Sequence, residues 1–378
     1  MQKRIRATAL VIVLAIASCL PGFALNIQER RDNPSTIDEY DLVARGKFSQ
    51  SRVSRPEQVA RMDNNGEILI ACMEAKTADH LRRSSGITFL QSQLELLVDW
   101  NLLEYDRKSK TYKTTIHVYG IEKASAIRQQ VNTAVKQLSD MLNDDIESLK
   151  SHLAQIDREK SLFAILYAYV LHGYTMQQLG EEIYRTPQLS QEHPFWNGYA
   201  WAIYPKKKFN TGVISMPADG NQFYIVASTA IPRIDFSLIS AFVKDIATDD
   251  RVDDAELKKS LSSFGLFDEE GNLTIPVFDS DWSENMENMA KRVYVETISL
   301  ADDGEMKDIL GMATQAQAAM FIHYEIRYAF LDYLLEKGVI PAPIDFGSAA
   351  NNEPSDASNL VFLMKAPNRS PEKNVLSK

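Results

Sequence analysis

Six histidines, two cysteines and 51 acidic residues are the side chains from which metal-binding, thiol or general-base chemistry would be drawn. Their spacing matches none of the patterns such chemistry uses. There is no Gly-x-Ser-x-Gly turn, no His-Glu-x-x-His helix, no glycine loop able to cradle phosphate and no Cys-His metal spacing. His172 and His323 lie in apolar stretches with no second ligand one helical turn on, so they read as structural residues. The acidic run Asp249-Asp-Arg-Val-Asp-Asp254 lacks the alternating ligands and the glycine of a calcium loop, and helix capping accounts for it. Cys72 sits inside Ile68-Leu-Ile-Ala-Cys-Met73, the setting of a buried, inert thiol. The segment His193-Pro-Phe-Trp196-Asn-Gly-Tyr-Ala-Trp201 is aromatic enough for a peptide or glycan platform, although core packing explains Trp196 and Trp201 more simply. A hydrolase centred there would need polar residues to converge on it. No catalytic residue, cofactor or metal is therefore expected.

The N-terminus carries a different kind of information. Lys3, Arg4 and Arg6 precede an apolar run from Ala7 to Ala17, and Ser18, Pro21 and Gly22 follow. That order is the charged, apolar and cleavage regions of an export signal, and the run is too short for a membrane span of about 20 residues. Two processing sites fit. Gly22-Phe23-Ala24 offers small residues to an ordinary signal peptidase, while Ile16-Ala-Ser-Cys19 is similar to a bacterial lipobox that would place a lipid on Cys19. Apolar residues after Cys19 favour the ordinary site, giving a signal peptide over 1–24 and a mature protein in the periplasm or envelope. The net charge of −10 disfavours general affinity for nucleic acid or anionic membrane.

Hydrophobic patterning then divides the mature chain. Residues 25–65 are polar and broken by Pro34, Gly46 and Pro56, as in a tether holding at most a short helix near Thr36 to Val43. From 66 to 120 the pattern predicts three short helices and a hairpin. Ile68, Ile70 and Ala71 open the first helix, Thr77 caps a second that runs through Arg83, and Thr88-Phe-Leu-Gln91 forms a capping box for the third. Leu90, Leu94 and Leu97 recur at helical spacing, and Asn101 tolerates the left-handed stop. Two strands, 102–105 and 112–118, flank a polar turn. This order, carried by Ser84-Ser-Gly-Ile-Thr-Phe-Leu-Gln-Ser-Gln-Leu-Glu-Leu-Leu-Val-Asp-Trp-Asn-Leu-Leu103, resembles the winged helix-turn-helix superfamily over about residues 67–119.

The same order recurs over 233–280. A helix over Phe236 to Ile246, a cap at Asp253-Asp-Ala-Glu256, a helix from Leu257 closed by Phe264-Gly-Leu266, a turn at Glu269-Glu-Gly-Asn272 and a returning strand to Phe278 repeat it at a shift of 164 residues. The stretch Ile165-Leu-Tyr-Ala-Tyr169 echoes Ile326-Arg-Tyr-Ala-Phe330. An internal duplication is expected, with helical segments over 121–192 and 281–346, a β-rich insert over 193–232 and a mostly disordered tail over 347–378. Leu360 to Met364 suits an edge strand. Val131, Val135, Leu138, Leu142, Leu149 and Ile156 form a seam on a helix over 122–156, suited to the chain's own later helices or to a homodimer, with Asp145 and His152 interrupting it. The fold class is α+β, mainly helical.

The resemblance implies DNA binding, so its charges matter. Arg82 and Arg83 before the third helix, with Arg107, Lys108, Lys110 and Lys113 in the wing, are candidate interaction residues. With Leu90, Leu94 and Leu97 inward, however, the third helix shows Gln91, Ser92, Glu95 and Asp99 outward, and the second module is more acidic still. The expected function is a non-enzymatic envelope protein that recognises an unknown protein partner, with a winged-helix DNA-binding regulator as the alternative. Fractionation with intact-mass measurement is expected to find the chain in the envelope or exported fraction, lacking residues 1–24 or lipidated at Cys19. A full-length cytoplasmic chain would overturn the export reading.

Overall fold

A computed structural model describes residues 34–49, 55–84, 86–185, 187–207, 212–218, 221–227, 236–249, 252–262, 265–340 and 360–366. The signal segment, Cys19 and most of the tail lie outside them. The fold is mixed α and β and mainly helical, in two compact units: residues up to Ser125 with Pro187–Lys206, and Ala126–Thr186 with Lys207 onward. No helix among the described residues is long and apolar enough to cross a membrane.

The described part of the expected tether, from Pro34 on, instead contributes Ile37, Tyr40, Leu42, Ala44, Val59 and Ala60 to the first unit's core. After a 3-10 turn at Ile37–Glu39, strand β1 (Asp41–Phe48) alternates buried Leu42 and Ala44 with half-exposed neighbours. Helices α1 (Pro56–Val59) and α2 (Asn65–Ala71), strand β2 (Lys76–Thr77) and helices α3 (Ala78–Ser84) and α4 (Gln91–Asp99) follow. Thr77 Oγ1 accepts from His80 N, as the sequence suggested for the second helix. The third helix starts later than Thr88: Leu90 N donates to the Gln93 side chain, and Thr88 lies in the preceding loop. Strands β3 (Leu103–Asp106) and β4 (Thr111–Thr114) make the hairpin, and β2 adds to β4, giving the order β2-β4-β3. The returning strand expected to run to Val118 breaks at Thr115, and β5 (His117–Tyr119) enters a different sheet.

That other sheet is completed by β6 (Trp196–Ile203), which lies between β1 and β5, antiparallel to β1 and parallel to β5. Gly46 and Gly198 face each other in the β1–β6 register. A Cβ on Gly198 would lie 1.9 Å from the Arg45 carbonyl oxygen, so only glycine permits this approach. The stretch 193–232 is therefore no separate insert: β6 belongs to the first unit, while β7 (Gly212–Ala218) and β8 (Asn221–Ala227) belong to the second.

Helix α5 (Ile121–Gln155) begins in the first unit and belongs from Ala126 on to the second. Its seam residues Val131, Val135, Leu138, Leu142 and Leu149 are buried within the chain, so a homodimer would have to use another face. Ile156 lies beyond the helix and is exposed. After α6 (Leu162–Ile165), a π-helical stretch (Leu166–Gly173) and α7 (Tyr174–Arg185), the second unit contains β7, β8, α8 (Phe236–Asp249), α9 (Ala255–Ser262) and β9 (Val277–Phe278). Helices α10 (Ser280–Asp302), α11 (Gly304–Leu310) and α12 (Gln315–Glu336) then precede β10 (Val361–Met364). The residues that interrupt the α5 seam serve helix contacts: Asp145 and the Met141 carbonyl receive Arg292 of α10, and the His152 ring stacks on Trp282 at 4.4 Å. On α10, Met286, Met289, Ala290, Val293 and Thr297 make one buried stripe at helical spacing. Strand β10 is an inner strand rather than an edge, in the order β7-β8-β10-β9.

The same local geometry occurs twice. Asn101 has φ 51° and Gly265 φ 71°; Leu102 N donates to Leu97 O, and Leu266 N to Leu261 O. Thr115 N donates to Leu102 O with its hydroxyl on Asn101 O, and Thr274 repeats both bonds to Leu266 and Gly265. Helix α4 starts after Leu90, and α9 after Asp254, whose carboxylate accepts from Glu256 N and Leu257 N. Strand β6 is antiparallel to β1 and parallel to β5, while β10 is antiparallel to β8 and parallel to β9. Asn101→Gly and Gly265→Asn are expected to change stability little, since both residues tolerate positive φ, whereas valine at either position should cost about 1–2 kcal/mol. Gly198→Ala should cost about 3 kcal/mol or more, through backbone collision. Urea unfolding of the variants measures all of these.

Candidate functional site

Residues nominated from the sequence fall into three environments. The first is the wing, where Arg107, Lys108, Lys110 and Lys113 are all exposed. Asp106 holds the turn by accepting from the Ser109 hydroxyl at 2.7 Å and from Lys108 N at 2.8 Å, and these bonds hold its carboxyl below the usual range. Lys113 lies opposite Glu104 in the ladder. Before α4, both Arg82 and Arg83 reach Asp79, at 3.5 and 3.8 Å, and Arg82 also covers the Phe89 ring. On α4 itself Leu94 and Leu97 are buried as expected, while Gln91, Ser92, Glu95 and Asp99 face solvent. Leu90 departs from the expected inward face, being 70% exposed at the helix start.

The second environment is the aromatic segment. Trp196 and Trp201 are fully buried in β6, which removes them as a surface platform. Their type and alternation served the sheet core. Phe195, outside the strand, remains partly exposed and stacks on Trp100 at 5.1 Å. Cys72 is buried in the first unit's core, where burial pushes its thiol up to about 11 and leaves almost no thiolate at neutral pH.

The third environment was not legible in the sequence as a site. In the second unit, α12 buries His323, Glu325 and Arg327 on consecutive alternate positions. Two residues apart on a helix, such side chains point about 200° apart, so α12 must be surrounded by protein on nearly all sides. Each polar group has specific neighbours. Glu325 receives Lys207, and Arg128 Nε lies 3.7 Å from its other oxygen. His323 Nε2 lies 3.0 Å from His172 Nδ1, with the rings stacked. Arg327 Nη1 lies 3.3 Å from the same His172 Nδ1, and its guanidinium covers the Tyr167 ring at 3.5 Å from the centroid. A guanidinium can only donate, so in its contact with Arg327 the His172 Nδ1 is the acceptor.

Local structure explains how His172 reaches this centre. Residues 166–173 take the wider π-helical turn, which shifts the register of their side chains relative to a continuous α-helix. Burial pushes the Tyr167 hydroxyl well above its ordinary value, with the Arg327 cation opposing that, and the Arg327 guanidinium is itself lowered by desolvation. Sequence reading classed both histidines as structural and passed over Glu325 and Arg327. The available signal was an Arg and a Glu inside the largely apolar run Ala318 to Leu331, since buried charges demand partners. Among the described residues, no group of three or more His, Cys, Asp or Glu side chains could hold a metal ion.

The ion pairs in this centre are unequal. Glu325 is 3% exposed and serves two cations, whereas Arg128 is 31% exposed and more distant. Glu325→Gln is expected to cost about 3–5 kcal/mol by leaving buried cations uncompensated. Arg128→Met should cost no more than about 1 kcal/mol. Equilibrium denaturation of the two variants compares these costs directly.

Comparison of the chain with protein-family models, with curated proteins and with solved structures found no match to any of them.

Proposed function

We propose that this chain is an exported, non-enzymatic envelope protein whose two winged-helix-like modules, related by internal duplication, form a scaffold that recognises a protein partner. The paired left-handed stops at Asn101 and Gly265, with the same three surrounding hydrogen bonds, support the duplication. So does the insertion of β6 and β10 between one antiparallel and one parallel neighbour in each sheet. In the first module, the helix order α2, α3, α4 with the sheet β2-β4-β3 supports the winged-helix reading.

One observation carries the choice of partner: the face of α4 that a DNA-binding module would insert into a groove. It presents Glu95 and Asp99, with exposed Leu90 at its N-terminal end. Carboxylates there repel phosphate, and an exposed leucine gains from apolar contact with protein. Arg82 and Arg83 are engaged with Asp79 on their own helix. The exposed basic wing tip favours the alternative, a DNA-binding regulator.

Two measurements separate these readings. Fluorescence anisotropy with labelled duplex DNA at low salt is expected to show no saturable binding. Salt-sensitive binding that disappears in Lys108→Glu plus Lys110→Glu would establish the regulator instead. A photo-crosslinking residue placed at position 90 is expected to give a discrete protein adduct in the envelope. The same residue at Val295, an exposed apolar position on α10, should give none, and identical patterns from both positions would sink the scaffold reading.

A further inference from the structure

The buried centre on α12 brings cationic side chains into one region. Arg128 and Lys207 share the Glu325 carboxylate, and Lys207 and Arg327 both lie near the Tyr328 ring. Arg327 is 2% exposed, and among the described residues no carboxylate pairs with it. Its Nη1 meets His172, but Nε and Nη2 are buried with no hydrogen-bond partner among the described residues. A guanidinium keeps its proton in proteins, so it cannot escape this cost by becoming neutral. An anion is what such a group lacks.

Its geometry specifies which kind. Nε–H and Nη2–H are the parallel donors on one edge of the guanidinium, and their spacing matches two oxygens of one carboxylate or phosphate. The Tyr167 ring against the guanidinium face and the His172 contact at Nη1 fix the plane, so the unpartnered edge is pre-oriented. Tyr328 lies between the two cations, with Lys207 Nζ 4.3 Å and Arg327 Cζ 6.0 Å from its ring centroid. His172, Gly173 and Tyr328, which border this centre, are only half-buried.

We propose that Arg327 is the receptor for a small oxyanion, the carboxylate or phosphate group of a ligand, held side-on through Nε and Nη2 in the second unit. Lys207 supplies the long-range attraction, and Tyr167 and Tyr328 supply the apolar walls. The site is independent of the surface on α4, and neither reading depends on the other.

Thermal unfolding of the full mature chain tests this, with acetate, inorganic phosphate or chloride added at constant ionic strength. Acetate or phosphate is expected to raise the melting temperature saturably, with chloride much weaker, and the stronger of the two identifies the oxyanion class. Arg327→Lys keeps the charge but loses the fork and should weaken the apparent affinity at least about tenfold. Arg327→Met should abolish the response and melt higher than the parent chain in anion-poor buffer, because an uncompensated buried charge is gone. No oxyanion response in the parent chain overturns the proposal. So does a response that survives in Arg327→Met, since the anion then binds elsewhere. If the methionine variant does not fold, the lysine variant decides: unchanged affinity refutes side-on binding.

Discussion

Two of the three sheets among the described residues depend on a strand that arrives late in the chain and enters the middle of the sheet. Before β6 is in place, β1 and β5 have no common partner, although about 70 residues separate them; β10 likewise joins β8 to β9. Backbone N–H and C=O groups in buried strands must find partners, so the inserted strand satisfies both neighbours at once. Strand β6 achieves this partly through close approach at Gly46 and Gly198, and its other side chains, Trp196 and Trp201 among them, fill the core. The fold therefore closes on long-range pairing, and the helices between strands must first bring the ends together.

The helices of the second unit close around a different constraint. A helix such as α12, buried on nearly all sides, has nowhere to turn a polar face toward water. Its Glu325, His323 and Arg327 must then be satisfied by side chains from other segments. Glu325 meets Lys207 and Arg128, and His323 Nε2 meets His172. Arg327 is satisfied at one nitrogen and stacked on Tyr167, which leaves the two donors of its remaining edge without a hydrogen-bond partner among the described residues. Charges placed so expensively concentrate at sites that bind or react. The wing tips contrast with this: Asp106 and Asp268 each hold a turn through several short bonds at the surface, a purely local solution.

Local features could be read from local residues. The stop at Asn101, the cap on His80 from Thr77, the hairpin around Asp106 and the heptad-like burial of α5 each follow from side chains within a few turns of one another. The capping box was misplaced because Thr88 and Leu90 offer competing starts, and Gln93 chose between them by reaching the Leu90 backbone. The mainly helical α+β class followed from the same patterns.

Tertiary structure alone decided the rest. The stretch around β1 reads as a tether because an eight-residue strand with polar edges declares itself only beside its partner, more than 150 residues on. Strand β10 looked like an edge because nothing near Leu360 announces two neighbours. The meeting of His172 with His323 and Arg327 is invisible from spacing, since 151 and 155 residues separate the contacting groups. Helical periods, caps and turns are written in residues three or four apart, and those the sequence determined. Which distant strands pair, and which buried charges share a space, depends on the closure of long loops, so only the folded chain decides it.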